Sequence, residues 1–232
     1  MTSSMSNLIN YVSDAELAII AQHQPTLKTE AARVSAAVTV ILRDTDHGTE
    51  YLLMQRAQHE GDPWSGQMGF PGGKIEQSDA DSKQAAMREA YEEVGIDLAK
   101  ADYIGQLDDL YGFKIDGVYV VHIASFVFKV SGDVAIVPNH EVAEIVWLPI
   151  GWLEDKNKYH AFDSPKIAKV KDMPSIAIDL QKQQVLWGIT LRIVLSFCDL
   201  VQRPVNALPE SAKTLLRHVE QEDIASKDVV TD

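Results

Sequence analysis

A run of turn-forming residues stands directly in front of a well-marked helix, and this junction constrains the chain more than any other feature. Residues 57–73 hold Gly61, Pro63, Gly66, Gly69, Pro71, Gly72 and Gly73. Neither helix nor strand accepts glycine and proline at that density, so the stretch reads as a long loop, and long loops in compact domains are usually functional. Beyond it, Ala85, Ala86, Ala90 and Val94 recur at helical spacing and give a helix over roughly Asp81 to Val94. Ser78, Asp79 and Asp81 are competent caps, and Gly95 suits the left-handed position just past the helix end.

Strand-like runs flank this unit. AAVTVIL (36–42) and TEYLLMQR (49–56) are apolar and β-branched, and the polar RDTDHG between them predicts a hairpin. Further runs lie at 103–109, 119–130 and 144–150. Near the start, Asp14 is placed to cap a short helix, AELAIIAQHQ, that ends before Pro25. Residues 154–184 are mixed and polar, with Pro165 and Pro174. LWGITLRIVLSFCDLV (186–201) is apolar on most sides and predicts a buried or interface helix, while SAKTLLRHVEQ (211–221) predicts one more. Strands on both sides of a central helix, with a helix near the end, define a mixed α/β sandwich. The expected organisation is one domain over 1–232: an extension (1–32), a core (34–153), a C-terminal part with helices (154–222) and a frayed polar tail (223–232).

Composition narrows the function. The 232 residues are 46% apolar and 24% charged, with a net charge of −13. Such an acidic chain without a basic cluster is repelled by nucleic-acid backbones, and it needs divalent cations to approach a polyphosphate. One cysteine, Cys198, excludes an internal disulfide and suits a reducing compartment, where it reads as a small buried hydrophobe. No basic segment followed by an apolar one opens the chain, and no run reaches the roughly 18 apolar residues of a membrane helix. A cytoplasmic protein is expected.

The chemistry lies in the predicted helix. Glu89, Glu92 and Glu93 stand at i, i+3 and i+4, which puts three carboxylates on one face. Like charges at that spacing destabilise a helix, whereas Mg²⁺, which takes oxygen ligands, reverses the sign. Arg88 can neutralise a neighbouring carboxylate and fix its rotamer. Gly72-Gly73 can bring a backbone carbonyl close to the same ions, because no Cβ blocks the approach.

The segment from Gly73 to Ile96 resembles the Nudix box, G-x5-E-x7-R-E-U-x-E-E-x-G-U with U a bulky aliphatic. Gly73 opens it, Arg88-Glu89 and Glu92-Glu93 supply its charged pairs, and Gly95-Ile96 closes it. Ala90 replaces the aliphatic, Asp79 stands where the first Glu belongs, and one extra residue precedes Arg88. The resemblance implies an α/β/α sandwich with a mixed sheet and a catalytic loop-helix. It also implies hydrolysis of a diphosphate bond with Mg²⁺ or Mn²⁺ held by Glu89, Glu92, Glu93 and the Gly73 carbonyl, and Arg88 orienting the glutamates. Phe70-Pro71-Gly72-Gly73, the insertion and Asp79 are similar to the coenzyme A pyrophosphatase subgroup, as are LDDLYG (107–112), PSIAID (174–179) and LWGITLRIV (186–194). That subgroup's upstream pattern, LLTxR(S/A)-x3-R-x3-G-x3-FPGG, is met at Leu52, Leu53, Arg56, Ala57 and Gly66. Met54 replaces its Thr, and Gly61 stands where its second Arg belongs.

Glu92 or Glu93 can act as ligand and base at once. A base outside the helix is expected at Glu141, placed in a loop, in preference to Glu144. Arg56 either contacts a phosphate or joins an ion pair. Trp64 and Phe70 either stack on a base and line a pocket or pack internally. His59 and His140 have no second ligand at metal spacing. Thr190 and Arg192 are buried hydrogen-bond makers or interface contacts, and the helix around Trp187 serves either a homodimer or the core. Three functions follow: a pyrophosphohydrolase of coenzyme A or an acyl-CoA, one of another small nucleotide-diphosphate substrate (ADP-ribose, NADH, nucleotides), or a Nudix-fold sensor without turnover.

Overall fold

The computed structural model describes residues 10–60, 64–163, 172–218 and 223–224. Helix α1 spans Asp14–Gln22, and strands β1 (Ala32–Thr45) and β2 (Gly48–Arg56) form the expected hairpin, closing from Thr45 to Gly48. Short strands β3 (Met68–Gly69) and β4 (Gly72–Lys74) lead into helix α2 (Ser82–Val94). Strands β5 (Asp102–Gln106), β6 (Leu110–Tyr111), β7 (Lys114–Ile115), β8 (Val118–Val130) and β9 (Val142–Pro149) follow. The C-terminal part carries β10 (Tyr159–Phe162), β11 (Met173–Asp179), β12 (Gln184–Trp187), α3 (Gly188–Leu200), α4 (Glu210–His218) and β13 (Asp223–Ile224).

The main sheet runs β13-β7-β8-β1-β2-β3, with β4 on β1, β5 and β6 on β8, and β9 on β2. It is mixed, since β1 is parallel to β8 and antiparallel to β2 and β4. The side-chain alternation of β1 divides the core. Ala37 and Ile41 face α2 through Ala85, Ala86, Ala90 and Val94. Val38, Val40 and Leu42 face the other way, onto Ile20 of α1 and Leu191, Val194 and Phe197 of α3. Helices therefore cover both faces of the sheet, as the α/β/α expectation requires.

Several local expectations change. Helix α1 is capped by Ser13, not Asp14: Ser13 Oγ accepts from the Glu16 N–H while Glu16 Oε2 accepts from the Ser13 N–H, a reciprocal box. Asp81 caps α2, and Gly95 ends it at φ 74°. The polar stretch 154–184 contains two strands of a second sheet, β10-β11-β12, and Trp187 closes β12 instead of lying within the following helix. Pro165 and Gly61 lie outside the described residues, as do 219–221 of the last predicted helix. In the tail expected to fray, residues 223–224 pair with β7 in parallel. Thr190 and Arg192 prove to be buried hydrogen-bond makers, Thr190 Oγ1 donating to the Met68 carbonyl at 3.1 Å and Arg192 to that of Tyr111. Cys198 is buried, and burial pushes its thiol up to about 12.

Candidate active site

Strand β4 runs beside α2, and both glycines of the turn are needed for that approach. A Cβ on Gly72, at φ 151°, would lie 2.3 Å from the Ala37 carbonyl oxygen. On Gly73 it would lie 2.5–2.8 Å from the Glu89 carboxylate. The Gly72 N–H donates to Glu93 Oε2 at 2.8 Å.

Glu93 is only 2% exposed. Burial is the main reason its carboxyl is pushed up to about 8. The charges of Glu89 and Glu141 add to the shift, and the Gly72 N–H and Arg56 oppose it. Burial also raises Glu89, with Arg88 pulling the other way. Arg88 is the hub. Its Nε and Nη2 meet Asp79 Oδ1 and Oδ2, each at 3.0 Å, Nη1 reaches Glu89 Oε1 at 2.9 Å and Glu92 Oε2 at 3.3 Å, and Nη2 also donates to the Lys74 carbonyl at 3.2 Å. The guanidinium holds the Asp79 carboxyl below its ordinary value. Asp79 thus supports the arginine despite being shorter than Glu and despite the inserted residue.

The loop before β9 completes the site. The Val137 and Asn139 N–H groups donate to the Val94 and Glu93 carbonyls, capping the end of α2. Asn139 Oδ1 in turn accepts from the Glu141 N–H at 2.8 Å, and the Glu141 carbonyl accepts from the Ala57 N–H at 2.7 Å. These bonds place Glu141 and Arg56 within electrostatic reach of Glu93. Glu144 is engaged elsewhere, by Lys182 at 2.5 Å and Gln184 at 3.0 Å.

Other residues fall differently from expectation. Phe70 is 4% exposed and packs edge-on against Tyr51 with centroids 6.2 Å apart. It is a core side chain, turned inward in the link between β3 and β4, and it presents no face to a substrate. Trp64 is half-buried within the glycine loop. His59 and His140 are both exposed, and their rings meet edge to face at 6.3 Å.

The three glutamates share the helix face, but their carboxylates are held by different donors. Among the described residues, no three His, Cys, Asp or Glu side chains converge in a metal-ligating cluster. Arg88 Nη1 draws Glu89 and Glu92 together, and the Gly72 N–H holds Glu93. The donor set still fits a hard divalent cation: it offers carboxylate and carbonyl oxygens only, around a buried carboxyl whose charge lacks full compensation.

Comparison with known proteins agrees with this arrangement. Residues 33–170 match the NUDIX domain family. The chain is 28% identical over 176 residues to an uncharacterized Nudix hydrolase, NudL, of Pectobacterium atrosepticum, spanning 75% of this chain and 85% of that protein. It is 29% identical over 165 residues to NudL of Escherichia coli, spanning 70% and 79%. A MutT/nudix family protein from Enterococcus faecalis shares the fold, with a TM-score of 0.50 and 16% identity over 93% of this chain and 80% of that one. The chain belongs to the Nudix family. It is a pyrophosphohydrolase of nucleoside-diphosphate derivatives, a class that works with divalent metal ions. No helix among the described residues is long and apolar enough to cross a membrane.

Gly72 as a hydrogen-bond donor and Gln184 as a partner of Gln55 were not visible in the sequence. The first had a signal in the doubled glycine, the second had none.

Proposed function

We propose that this chain hydrolyses coenzyme A, or an acyl-CoA, to 3′,5′-ADP and the corresponding 4′-phosphopantetheine, with Mg²⁺ or Mn²⁺ held by Glu89, Glu92, Glu93 and the Gly73 carbonyl. The observation that carries the hydrolytic reading is Glu93, almost out of water, bonded to the Gly72 N–H and facing the charges of Glu89, Arg56 and Glu141. The metal, when bound, neutralises the diphosphate oxygens. Glu141, whose carboxylate accepts no hydrogen bond among the described residues, takes a proton from the attacking water as the oxygen bonds to one phosphorus. The bond from that phosphorus to the bridging oxygen breaks, and the second phosphate leaves with it. Arg56 contacts a phosphate oxygen, and Trp64 borders the substrate.

Support for coenzyme A comes from the subgroup pattern and from where its departures fall. Met54, in place of the pattern's Thr, is 1% exposed in the core beneath α2, so that change removes no surface facing a substrate. Asp79, in place of Glu, still grips Arg88 at two points. Product analysis with coenzyme A, ADP-ribose, NADH, a dinucleoside polyphosphate and a nucleoside triphosphate tests the reading. Release of 3′,5′-ADP at the highest kcat/KM of the panel is expected. Preference for ADP-ribose or NADH would replace coenzyme A while keeping the chemistry.

A further inference from the structure

Arg56, at the end of β2, and Glu141, just before β9, lie within electrostatic reach of Glu93, and the register of the two strands is irregular there. Strand β2 pairs with β9 regularly from Glu50↔Pro149 to Gln55↔Glu144, and then slips so that Arg56 faces Val142. A bulge of this kind re-aims a side chain but weakens the ladder around it. Something must therefore hold the flank at Gln55 and Glu144.

The holding group comes from the C-terminal sheet, beyond the residues matched to the family. Gln184, at the start of β12, is 2% exposed. Its Nε2 donates to Gln55 Oε1 at 3.2 Å and to Glu144 Oε2 at 3.0 Å, and so bridges the pair beside the bulge. Lys182 adds an ion pair to Glu144 Oε1 at 2.5 Å. Gln55 Nε2 donates onward to the Gly66 carbonyl at 3.2 Å, tying the glycine loop to the same node. The turn that presents Lys182 and Gln184 is tied to β11, since Asp179 Oδ1 accepts from the Gln181 and Lys182 N–H groups.

We propose that Gln184 is a positioning residue that fixes the β2–β9 bulge and thereby the aim of Arg56 and Glu141. The proposal rests on the reading of those two residues given above. A buried amide satisfying two strands at once specifies one register, and losing it leaves Gln55 and Glu144 with alternative partners. Outer supporting groups of this kind typically change activity by roughly 10–100-fold.

The test uses the full chain and coenzyme A, or ADP-ribose if coenzyme A is not turned over. Gln184→Met keeps the volume and removes both bonds. The expected result is a fall in kcat of at least about tenfold with a much smaller change in KM, measured where the variant is fully folded by thermal melting. Because that variant could fail to fold, the half-exposed partner is also changed: Glu144→Ala should give the same kcat-weighted loss. An unaltered kcat in folded Gln184→Met or Glu144→Ala overturns the proposal, as does loss in KM alone. Glu141→Gln, assayed in parallel, separates the two readings: wild-type kcat there removes Glu141 as base and leaves the Gln184 result to report on Arg56.

Discussion

Arg88 and Asp79 meet in a two-point contact, Nε to Oδ1 and Nη2 to Oδ2, both at 3.0 Å. The same guanidinium holds Glu89 and Glu92, so the loop carboxylate orients two candidate metal ligands through one arginine. Asp79→Ala should weaken the apparent affinity for Mg²⁺ and lower activity roughly 10–100-fold, the usual effect of removing an outer support. Asp79→Glu should retain most of the activity. Mg²⁺ titrations of both variants check this, and equal losses would show that Asp79 does not act through Arg88.

The paired glycines should fail in different ways. In Gly73→Ala the new methyl meets the Glu89 carboxylate, the far end of a flexible side chain, so the fold should persist while activity falls. In Gly72→Ala it meets the Ala37 carbonyl and the Val38 backbone at a positive φ, and backbone strain alone costs roughly 1–3 kcal/mol. Thermal melts and assays of the two variants should separate a catalytic from a structural defect.

Glu93 predicts a pH signature in the metal-free protein. Its folded carboxyl lies at about 8 against 4.5 unfolded, so between those values the folded state binds more protons than the unfolded one. Stability should therefore fall as pH rises from about 4.5 to about 8, by a few kcal/mol at most. A divalent cation neutralises the carboxylate, so Mg²⁺ should raise the melting temperature more at pH 8 than at pH 6. Glu93→Gln should flatten both trends. A metal-free protein whose stability climbs across that window, with no added benefit from Mg²⁺ at pH 8, would contradict the assignment.

Phe70 and Trp64 should trade the roles that their position beside the glycine loop invites. Phe70→Ala leaves a cavity against Tyr51 and should cost about 3–5 kcal/mol of stability, visible as an earlier urea midpoint. Trp64→Ala, at a half-buried loop position, should act mainly on KM. A stable Phe70→Ala variant with raised KM would reverse this assignment.

Much of the fold and site was legible in the sequence because the signals are local. The alternation in β1, the hairpin closing from Thr45 to Gly48, the alanine stripe of α2 and its stop at Gly95 each depend on residues a few positions apart. The face carrying Glu89, Glu92 and Glu93 follows from helical periodicity alone. What the glutamates do there did not follow, because their carboxylates are distributed by donors outside the helix. Gly72 is 21 residues from Glu93, and Gln184 is 129 residues from Gln55. No periodicity spans such intervals. Only packing of β4 against α2, and of the C-terminal sheet against β2 and β9, decided that Phe70 is core, that Glu141 and not Glu144 lies within electrostatic reach of Glu93, and that Asp79 still grips Arg88. Sequence thus determined which groups were available on each element. Tertiary structure determined which were buried together, and burial is what turns a surface carboxylate such as Glu93 into one that calls for a cation.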